Sequence, residues 1–280
     1  IVNMLRRLRK EHADANFSIV FDAPGPTFRD ALYPEYKANR PPMPEELRSQ
    51  IMTVHSVIEA LGLPILCVEG VEADDVIGTL ATQAASSGMD VFVISSDKDL
   101  AQLVNERITL VDTMKDVAYD RLGVKNKFGV SPEQIVDYLA LVGDSSDNIP
   151  GVPKVGPKTA CKWLQQYGSL DQVIQHAEQI LGKVGENLRA SLNQLSLTRE
   201  LATIKRDVPL EQTPAKLSPT SPDLDRLREL YAHLEFKTWL SELGGAQGVG
   251  SNQASQIAEY EIILDDQILE SWINRLERAA

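Results

Sequence analysis

The chain has 280 residues, of which 43% are apolar, and a net charge of −12 with two cysteines and four histidines. This length allows one large or two small domains with a substantial core. No apolar run approaches 18 residues, which predicts no membrane partner, and two cysteines exclude a disulfide framework. We therefore expect a cytoplasmic protein in which oxygen atoms hold any metal ion. The acidic charge argues against a nucleic-acid partner, unless many of the acids bind metal.

The first predicted elements are a basic amphipathic helix at residues 2–10 and a buried strand at residues 17–21. The strand ends on Asp22, with Ala-Pro-Gly behind it, which places an acid at the carboxyl end of a strand. By itself, Asp22 is equally consistent with a turn residue and with a metal ligand.

Residues 27–44 show neither a helical nor a strand period, and they interleave aromatic with basic side chains. Loops of this length are uncommon unless they have a function. Rings that stack on bases and cations that meet phosphates suit a single nucleic-acid strand, with an ordinary solvated loop as the alternative. The side chains concerned are Phe28, Arg29, Tyr33, Tyr36, Lys37 and Arg40.

Three carboxylates, Glu72, Asp74 and Asp75, lie where a predicted strand at residues 64–68 gives way to an apolar helix. In open α/β sheets, ligands bind at this edge. The positive end of the helix favours each acid, but capping needs only one carboxylate. Three clustered acids repel one another unless a cation binds, so the pattern favours a metal site over simple capping.

More acids follow later elements, and helix patterns alternate with strand patterns along the chain. This alternation predicts an α/β fold with a mainly parallel sheet flanked by helices, in which strand-end acids share one edge. The further acids are Asp97 and Asp99 after a strand at residues 90–94, and Asp144 and Asp147 after a helix at residues 130–142.

Residues 151–160 form a predicted hairpin, in which Gly151 and Gly156 flank a tight turn before a helix that starts at Pro157. Exposed amides at a helix N-terminus, close approach at glycine and the nearby lysines suit a phosphate, whereas the alternative is a simple turn. We expect helices at residues 187–207 and 223–243 to support the hairpin. Trp163 and Trp239 are predicted to be core residues.

Six motifs occur in order, and together they resemble the flap endonuclease family of 5' nucleases, in the form found as a domain of bacterial DNA polymerases. The resemblance covers about residues 1–243. It implies a PIN-like α/β nuclease core at residues 1–130 with an arch at about 27–44, followed by a helical region at residues 131–243 with a helix-hairpin-helix DNA-binding motif. The motifs are residues 21–23, 36–42, 70–75, 96–99, 143–151 and 156–160.

The resemblance further implies hydrolysis of phosphodiester bonds at 5' ends, nicks and 5' flaps by a monomer that uses two Mg²⁺ ions, for which Mn²⁺ can substitute, in DNA replication and repair. The metal ligands would be Asp22, Glu72, Asp74 and Asp75 nearer one ion and Asp97, Asp99, Asp144 and Asp147 nearer the other. Lys37 and Arg40 would be the electrostatic catalysts. DNA contacts would come from Arg29, Tyr36, Lys37, Arg40, Gly151, Lys154, Gly156, Lys158 and Thr159, with K⁺ as a further candidate ligand of the hairpin.

Two departures from the family pattern matter. Members of the family begin with a strand that ends in Asp-Gly and supplies a metal ligand, and this sequence starts after it. We expect a sheet that is short of one strand and one ligand, with low stability and poor cleavage. Residues 244–258 read as a linker, and residues 259–280 resemble the start of a 3'-5' exonuclease-like domain, so polymerase domains are expected in cis.

Two other functions stay open at this point. The run Asp97-Lys98-Asp99 with an upstream glutamate also suits a Mg²⁺-dependent site of the topoisomerase-primase type, although no hairpin is expected beside such a site. A non-enzymatic chain would instead bind branched DNA through the arch and the hairpin without cutting it. An assay of binding and cleavage on one flap substrate separates the three functions.

Overall fold

The computed structural model describes residues 1–12, 14–244 and Trp272. The chain divides into two compact units, Ile1–Leu227 and Arg228–Ala280. Among the described helices, none combines the length and hydrophobicity that a bilayer span requires. The linker predicted at residues 244–258 and the domain start predicted at residues 259–280 lie outside the described residues, except for Gly244 and Trp272.

The described strands form two small sheets. Strand β1 (Ile19–Asp22) pairs in parallel with β2 (Ile65–Val68), and Ile19 lies opposite Ile65. Strand β3 (Val91–Ile94) pairs in parallel with β4 (Ile108–Asp112). Strand β5 (Val117–Tyr119) adds to β4 in the antiparallel direction. The predicted strands at residues 17–21, 64–68, 90–94 and 109–111 thus correspond to β1–β4, and their pairings are parallel.

Helices precede, separate and follow these strands. They are α1 (Val2–Glu11), α2 (Phe28–Leu32), α3 (Glu45–Ala60), α4 (Ala73–Ser86), α5 (Arg121–Phe128), α6 (Ile135–Val142), α7 (Pro157–Tyr167), α8 (Leu170–Gln175), α9 (Gly182–Ala202), α10 (Leu224–His233) and α11 (Lys237–Glu242). Short 3₁₀ helices lie at Asp99–Leu103, Pro132–Gln134, Ala177–Gln179 and Pro214–Lys216.

The main core joins the β3–β4 sheet to the helical region, because it contains side chains of both strands together with side chains of α6, α7 and α9. Leu110 of β4 and Leu141 of α6 belong to this core and are at most 2% exposed. Burial of a leucine stabilises a fold by about 2 kcal/mol, so a shared core of this kind holds the helical region on the sheet. Trp163 is 5% exposed in the same core, which confirms its predicted role.

An apolar groove separates β1 from β3. Ile19 N–H donates to Pro64 of the β2 side, and Val91 N–H donates to Arg107 of the β4 side, so alternate backbone groups of both strands point away from their partners. Helices α1 and α4 contribute Leu8 and Leu80 to the same groove, whose volume is about 500 Å³. The two sheets are therefore not joined, and their edges at this groove have no strand partner among the described residues.

Some predicted boundaries are wrong. Residues 27–44 contain the short helix α2, which Thr27 and Asp30 cap reciprocally, because the Thr27 N–H donates to Asp30 at 2.7 Å. Helix α9 begins and ends five residues earlier than the predicted 187–207. In the second unit, the ring centroids of Trp239 and Phe236 are 4.6 Å apart, and Trp239 is half-buried, so its prediction as a core residue holds only in part.

Candidate metal and nucleic-acid site

The ends of three strands carry the predicted acids. Parallel strands present their carboxyl ends at one edge, which explains why acids distant in sequence lie near each other. Asp22, at the end of β1, accepts a hydrogen bond at 2.7 Å from the Ala73 N–H, at the start of α4. This bond ties the end of β1 to the helix that follows β2. The acids concerned are Asp22, Glu72 and Asp74 on this side, and Asp97 and Asp99 after β3.

Asp74 lies in the field of several other carboxylates. Burial, together with the charges of Asp97, Glu72 and Asp22, raises the pKa of Asp74 to about 7, against the opposing charge of Lys37. A carboxyl group that holds its proton near neutral pH is short of positive neighbours. Asp74 therefore couples the acids after β1, β2 and β3 electrostatically, and a cation would favour its ionised form.

Asp99 lies in a similar environment. Burial and the charge of Asp97 raise the pKa of Asp99 to about 7. Among the described residues, its buried Oδ1 has no hydrogen-bond partner. Asp144 differs, because Lys98 Nζ donates to its Oδ2 at 2.6 Å. Although burial raises it, this hydrogen bond holds the pKa of Asp144 below its usual range.

A closed loop positions Asp144 and Asp147. The Asp144 N–H donates to Ile149 at 2.9 Å, and the Ile149 N–H donates back to Asp144 at 2.7 Å. The loop closes where the backbones of Gly143 and Gly151 touch, and Gly143 has a φ of 77°. Gly151 therefore packs against Gly143 and is half-buried, and its contact with DNA stays a prediction.

The arch places two cations on the acids. Lys37 Nζ pairs with Glu72 and lies 3.8 Å from Asp147, while Arg40 pairs with Asp147. Lys37 has a φ of 53°, and its N–H donates to the Asp147 carbonyl at 2.9 Å. The Lys37 side chain is a quarter exposed and that of Arg40 half exposed. Both predicted electrostatic catalysts thus contact the acidic site and are accessible to a ligand.

Tyr36 lies between the two groups of acids. Its hydroxyl is 2.9 Å from Glu72 Oε2 and 3.1 Å from Asp147 Oδ2. The residue is 5% exposed and packs with Ile149 and Leu201. Burial and the two carboxylates raise the pKa of the Tyr36 hydroxyl. This burial leaves no open ring face for a base, which corrects the predicted contact of Tyr36 with DNA.

Asp75 and Arg29 also depart from their predicted roles. Asp75 is 0% exposed and Arg29 is 2% exposed, and the guanidinium donates two hydrogen bonds to the carboxylate at 2.7 and 2.8 Å. Asp75 also completes a capping box with the N-cap Glu72, so the capping alternative applies to this acid. The predictions of Asp75 as a metal ligand and Arg29 as a DNA contact are corrected, because neither side chain reaches the open face of the site.

The remaining acids fit a divalent cation with oxygen ligands. Their donors are carboxylate oxygens, which Mg²⁺ prefers, and the unpaired Asp99 Oδ1 is available to such an ion. An open cavity of about 500 Å³ has Arg40, Asp97, Asp144 and Asp147 in its wall. Within residues 1–12 and 14–244, no three acidic, histidine or cysteine side chains converge closely enough to coordinate one ion. Asp97, Asp144 and Asp147 therefore share a cavity, but they would have to move closer together to bind one metal ion.

The hairpin presents an open helix N-terminus. Gly156 is the N-cap of α7, Pro157 is its first residue, and no described side chain caps it. A β-carbon built on Gly156 meets no described atom within 4 Å, and Lys154 and Lys158 are exposed. Thr159 lies in the first turn and is half-buried. The predicted phosphate contacts of this turn thus lie on an accessible surface.

Sequence reasoning missed the polar side chains that bind the arch to the loop after α6. Asn39 donates to the Ser145 carbonyl at 2.7 Å, and Asn148 donates to the Glu35 carbonyl at 2.6 Å. It also missed Lys98 as the partner of Asp144, although its place between Asp97 and Asp99 was a signal. No local pattern marks the two asparagines, because their partners lie more than 100 residues away.

Two consecutive family descriptions match the chain. Residues 1–129 match "5'-3' exonuclease, N-terminal resolvase-like domain", and residues 130–225 match "5'-3' exonuclease, C-terminal SAM fold". A 5'-3' exonuclease of Buchnera aphidicola subsp. Baizongia pistaciae is 38% identical over 246 residues, which are 85% of this chain and 82% of that protein. The chain belongs to the 5'-3' exonuclease family.

Longer relatives contain the same region. DNA polymerase I of Pseudomonas aeruginosa is 48% identical over the whole of this chain, which corresponds to 32% of the polymerase. DNA polymerase I of Mycobacterium tuberculosis strain H37Rv is 43% identical over 84% of this chain and 26% of the polymerase. The chain spans about a third of the length of these relatives or less.

Solved structures share the fold. The zinc-bound T5 5'-exonuclease superimposes with a TM-score of 0.65 at 21% identity, covering 87% of this chain and 89% of that chain. The catalytic core of Rad2 in complex with a DNA substrate gives 0.53 at 16% identity, covering 81% and 77%. The predicted α/β nuclease fold with a following helical region is confirmed.

Proposed function

We propose that the chain is a Mg²⁺-dependent 5' nuclease domain that hydrolyses phosphodiester bonds at 5' ends, nicks and 5' flaps of DNA during replication and repair. The observation that carries the proposal is the contact of two accessible arch cations, Lys37 and Arg40, with carboxylates from separate elements, Glu72 and Asp147. A phosphate needs cations on its oxygens, and a metal ion needs carboxylates. Both lie in this one site.

The ligands proposed for one ion are Asp22, Glu72 and Asp74, and those for a second ion are Asp97, Asp99, Asp144 and Asp147. When bound, divalent ions lower the pKa of water and offset negative charge on a phosphate, as Mg²⁺ or Mn²⁺ do in two-metal sites. Tyr36 holds Glu72 and Asp147 in fixed relation, because its hydroxyl contacts both. Asp74 and Asp99 must lose their protons before they bind a cation, because their pKa values are about 7.

The cations of the chain are proposed to hold the DNA. Lys37 and Arg40 offset negative charge on the phosphate at the site. To reach the phosphate, both cations break their ion pairs with the acids. Lys154 and Lys158 contact duplex backbone at the hairpin, where the open Gly156 lets a phosphate approach the start of α7, with K⁺ as a further candidate ligand. The T5 D15 flap endonuclease has been solved with DNA and metal ions, which supports this assignment by likeness of fold.

The alignments with relatives support a proposal about the longer protein in which this activity lies. Because the chain aligns with part of two bacterial DNA polymerases I, we propose that polymerase domains follow in cis in a cytoplasmic, monomeric protein. The 5'-3' exonuclease of Buchnera shows that proteins of nearly the same length also carry this family name.

Cleavage and binding of one 5'-flap DNA test the proposal. The parent chain should cut the flap in Mg²⁺, whereas Asp97→Asn should bind the flap and cut at least a hundredfold more slowly. Glu106→Gln, whose side chain is 80% exposed, is the control and should cut like the parent. Binding without Mg²⁺-dependent cutting in every variant would instead indicate a branched-DNA-binding domain, and Mg²⁺-dependent strand rejoining a topoisomerase-primase type site.

A further inference from the structure

We propose that Arg29 and Asp75 form a buried anchor that positions the acidic site and the arch, without contact to metal or DNA. This inference rests on the proposed nuclease function only in naming the acidic site and the arch as the parts that the anchor positions. The anchor itself follows from the number of hydrogen bonds that each side chain makes and from the elements that these bonds join.

The Asp75 carboxylate has no free lone pair. Its Oδ1 accepts from Arg29 Nη2 at 2.8 Å and from the Lys205 N–H at 2.9 Å. Its Oδ2 accepts from Arg29 Nη1 at 2.7 Å and from the Glu72 N–H at 3.1 Å. A carboxylate offers about four acceptor positions, so four donors use all of them. A metal ion could bind Asp75 only after some of these bonds break in a fully buried place.

The Arg29 guanidinium is likewise fully used. Two of its N–H groups point to Asp75, Nε donates to the Leu201 carbonyl at 2.9 Å, and Nη2 donates to the Thr203 carbonyl at 2.8 Å. Nη1 also lies 3.0 Å from Glu72 Oε2. Arginine has five N–H donors, and five acceptors surround this one. No donor remains for a phosphate, and burial at 2% exposure leaves no path to one.

The anchor joins three parts of the chain. Arg29 lies on α2 at the base of the arch, Asp75 lies in the first turn of α4, and Leu201 and Thr203 lie at the end of α9. Because Arg29 also reaches Glu72, and Asp74 is next to Asp75 in sequence, the anchor fixes the start of α4 on which two proposed metal ligands stand. Arg29 and Asp75 are therefore positioning residues.

Charge supports the same conclusion. Although burial lowers it, the hydrogen bonds and charge of Asp75 raise the pKa of the Arg29 guanidinium. Although burial raises it, the bonds from Arg29 hold the pKa of Asp75 below its usual range. The two side chains thus neutralise each other inside the protein, where Arg29 Nη1 lies 2.7 Å from Asp75 Oδ2.

A set of variants separates an anchor from a ligand and from a DNA contact. Asp75→Asn should lower the melting temperature in EDTA by about 10 °C, because a buried charge loses its partner. Asp74→Asn should not lower it, yet should weaken Mg²⁺ binding in calorimetry at least tenfold. Asp75→Asn, titrated below its melting temperature, should keep the Mg²⁺ stoichiometry of the parent. In the double variant Arg29→Met with Asp75→Leu, the melting temperature should fall by less than the sum of the decreases in the two single variants.

Arg29→Lys tests whether Arg29 positions the acidic site, in a variant that keeps the positive charge at this residue. It should lower kcat for flap DNA at least tenfold with KM within twofold of the parent, whereas a lost DNA contact would raise KM. For Arg29→Met, the salt dependence of DNA binding should keep the slope of the parent, since no phosphate contact is lost. The proposal would be overturned if the slope for Arg29→Met were shallower by about one. It would also be overturned if Asp75→Asn lost one Mg²⁺ equivalent at an unchanged melting temperature.

If the parent chain cuts no flap DNA, the nuclease proposal fails, but the melting, titration and salt experiments still decide whether the pair is an anchor. If a single variant does not fold at any temperature tested, that outcome itself supports a structural pair, provided that the pair variant folds. Should the pair variant also fail to fold while Arg29→Lys melts like the parent, the anchor is wrong.

Discussion

The backbones of Gly143 and Gly151 lie in contact, so that a β-carbon on Gly151 would overlap the amide nitrogen of Gly143. This contact closes the loop that carries Asp144 and Asp147. It makes the positions of Asp144 and Asp147 depend on two residues that have no side chain.

Gly151→Ala should destabilise the protein by about 2–4 kcal/mol, because the new methyl group has no space and the loop has to open. Mg²⁺ affinity should fall with it. Chemical denaturation and calorimetric Mg²⁺ titration measure the two effects. Gly156→Ala is the matched control, because its β-carbon meets open space and its φ of −108° suits alanine. Equal stability of Gly151→Ala and the parent would show that the contact is not required.

Asp74 should make stability fall as pH rises in EDTA. Its pKa is about 7 in the folded chain, and an aspartate titrates near about 4 when unfolded. Between these values the folded state binds more protons, so its extra stability is fully present below pH of about 4 and is lost as pH rises through about 7. Asp74→Asn, which mimics the protonated form, should therefore be more stable than the parent, by on the order of 4 kcal/mol near pH 7.

Urea denaturation at several pH values measures this gain. Glu106→Gln serves as the control, because its side chain is 80% exposed, and it should follow the parent at every pH. A constant difference between Asp74→Asn and the parent across this range would mean that Asp74 titrates normally. In Mg²⁺ the order should reverse, since the parent then gains stability from the bound ion and the variant does not.

Lys158→Ala should weaken binding to duplex DNA by a similar factor for all sequences and make the salt dependence shallower by roughly one. The reason is that Lys158 is exposed beside an uncapped helix N-terminus, where a backbone phosphate fits. Fluorescence anisotropy with two unrelated duplexes at several salt concentrations measures both effects. Lys183→Ala, on α9 and paired with Glu186, is the control. A loss that depends on base sequence would contradict backbone binding.

The groove between β1 and β3 should accept one further strand. An N-terminal extension made of a short apolar strand that ends in Asp-Gly should pair with the free edges of both strands and fill the apolar cavity of about 500 Å³. The melting temperature should rise by about 10 °C, and Mg²⁺-dependent flap cleavage should increase, because the added Asp supplies another ligand. An extension of equal length rich in Gly and Ser is the control. Identical melting of both extended chains and the parent would show that the groove needs no strand.

The acids of the site show how far sequence reasoning reaches. Asp22, Asp97 and Asp99 follow strand patterns, and because parallel strands end at one edge, their neighbourhood could be predicted without coordinates. The start of α7 could also be predicted, because a glycine followed by a proline at the first helical position is a local signal. The arch was recognised by composition, but its helix α2 was missed, because five residues carry too little periodicity.

The amino-acid sequence alone determined which acids, cations and glycines this protein has. It also determined roughly which of them lie at the ends of strands and helices. Only the tertiary structure decided that Asp74 lies among other carboxylates, while Asp75, its neighbour in sequence, is buried against Arg29. The physical reason is that adjacent helical residues point about 100° apart, so the packing of α2 and of the chain after α9 determines which carboxylate faces the other acids and which faces a guanidinium.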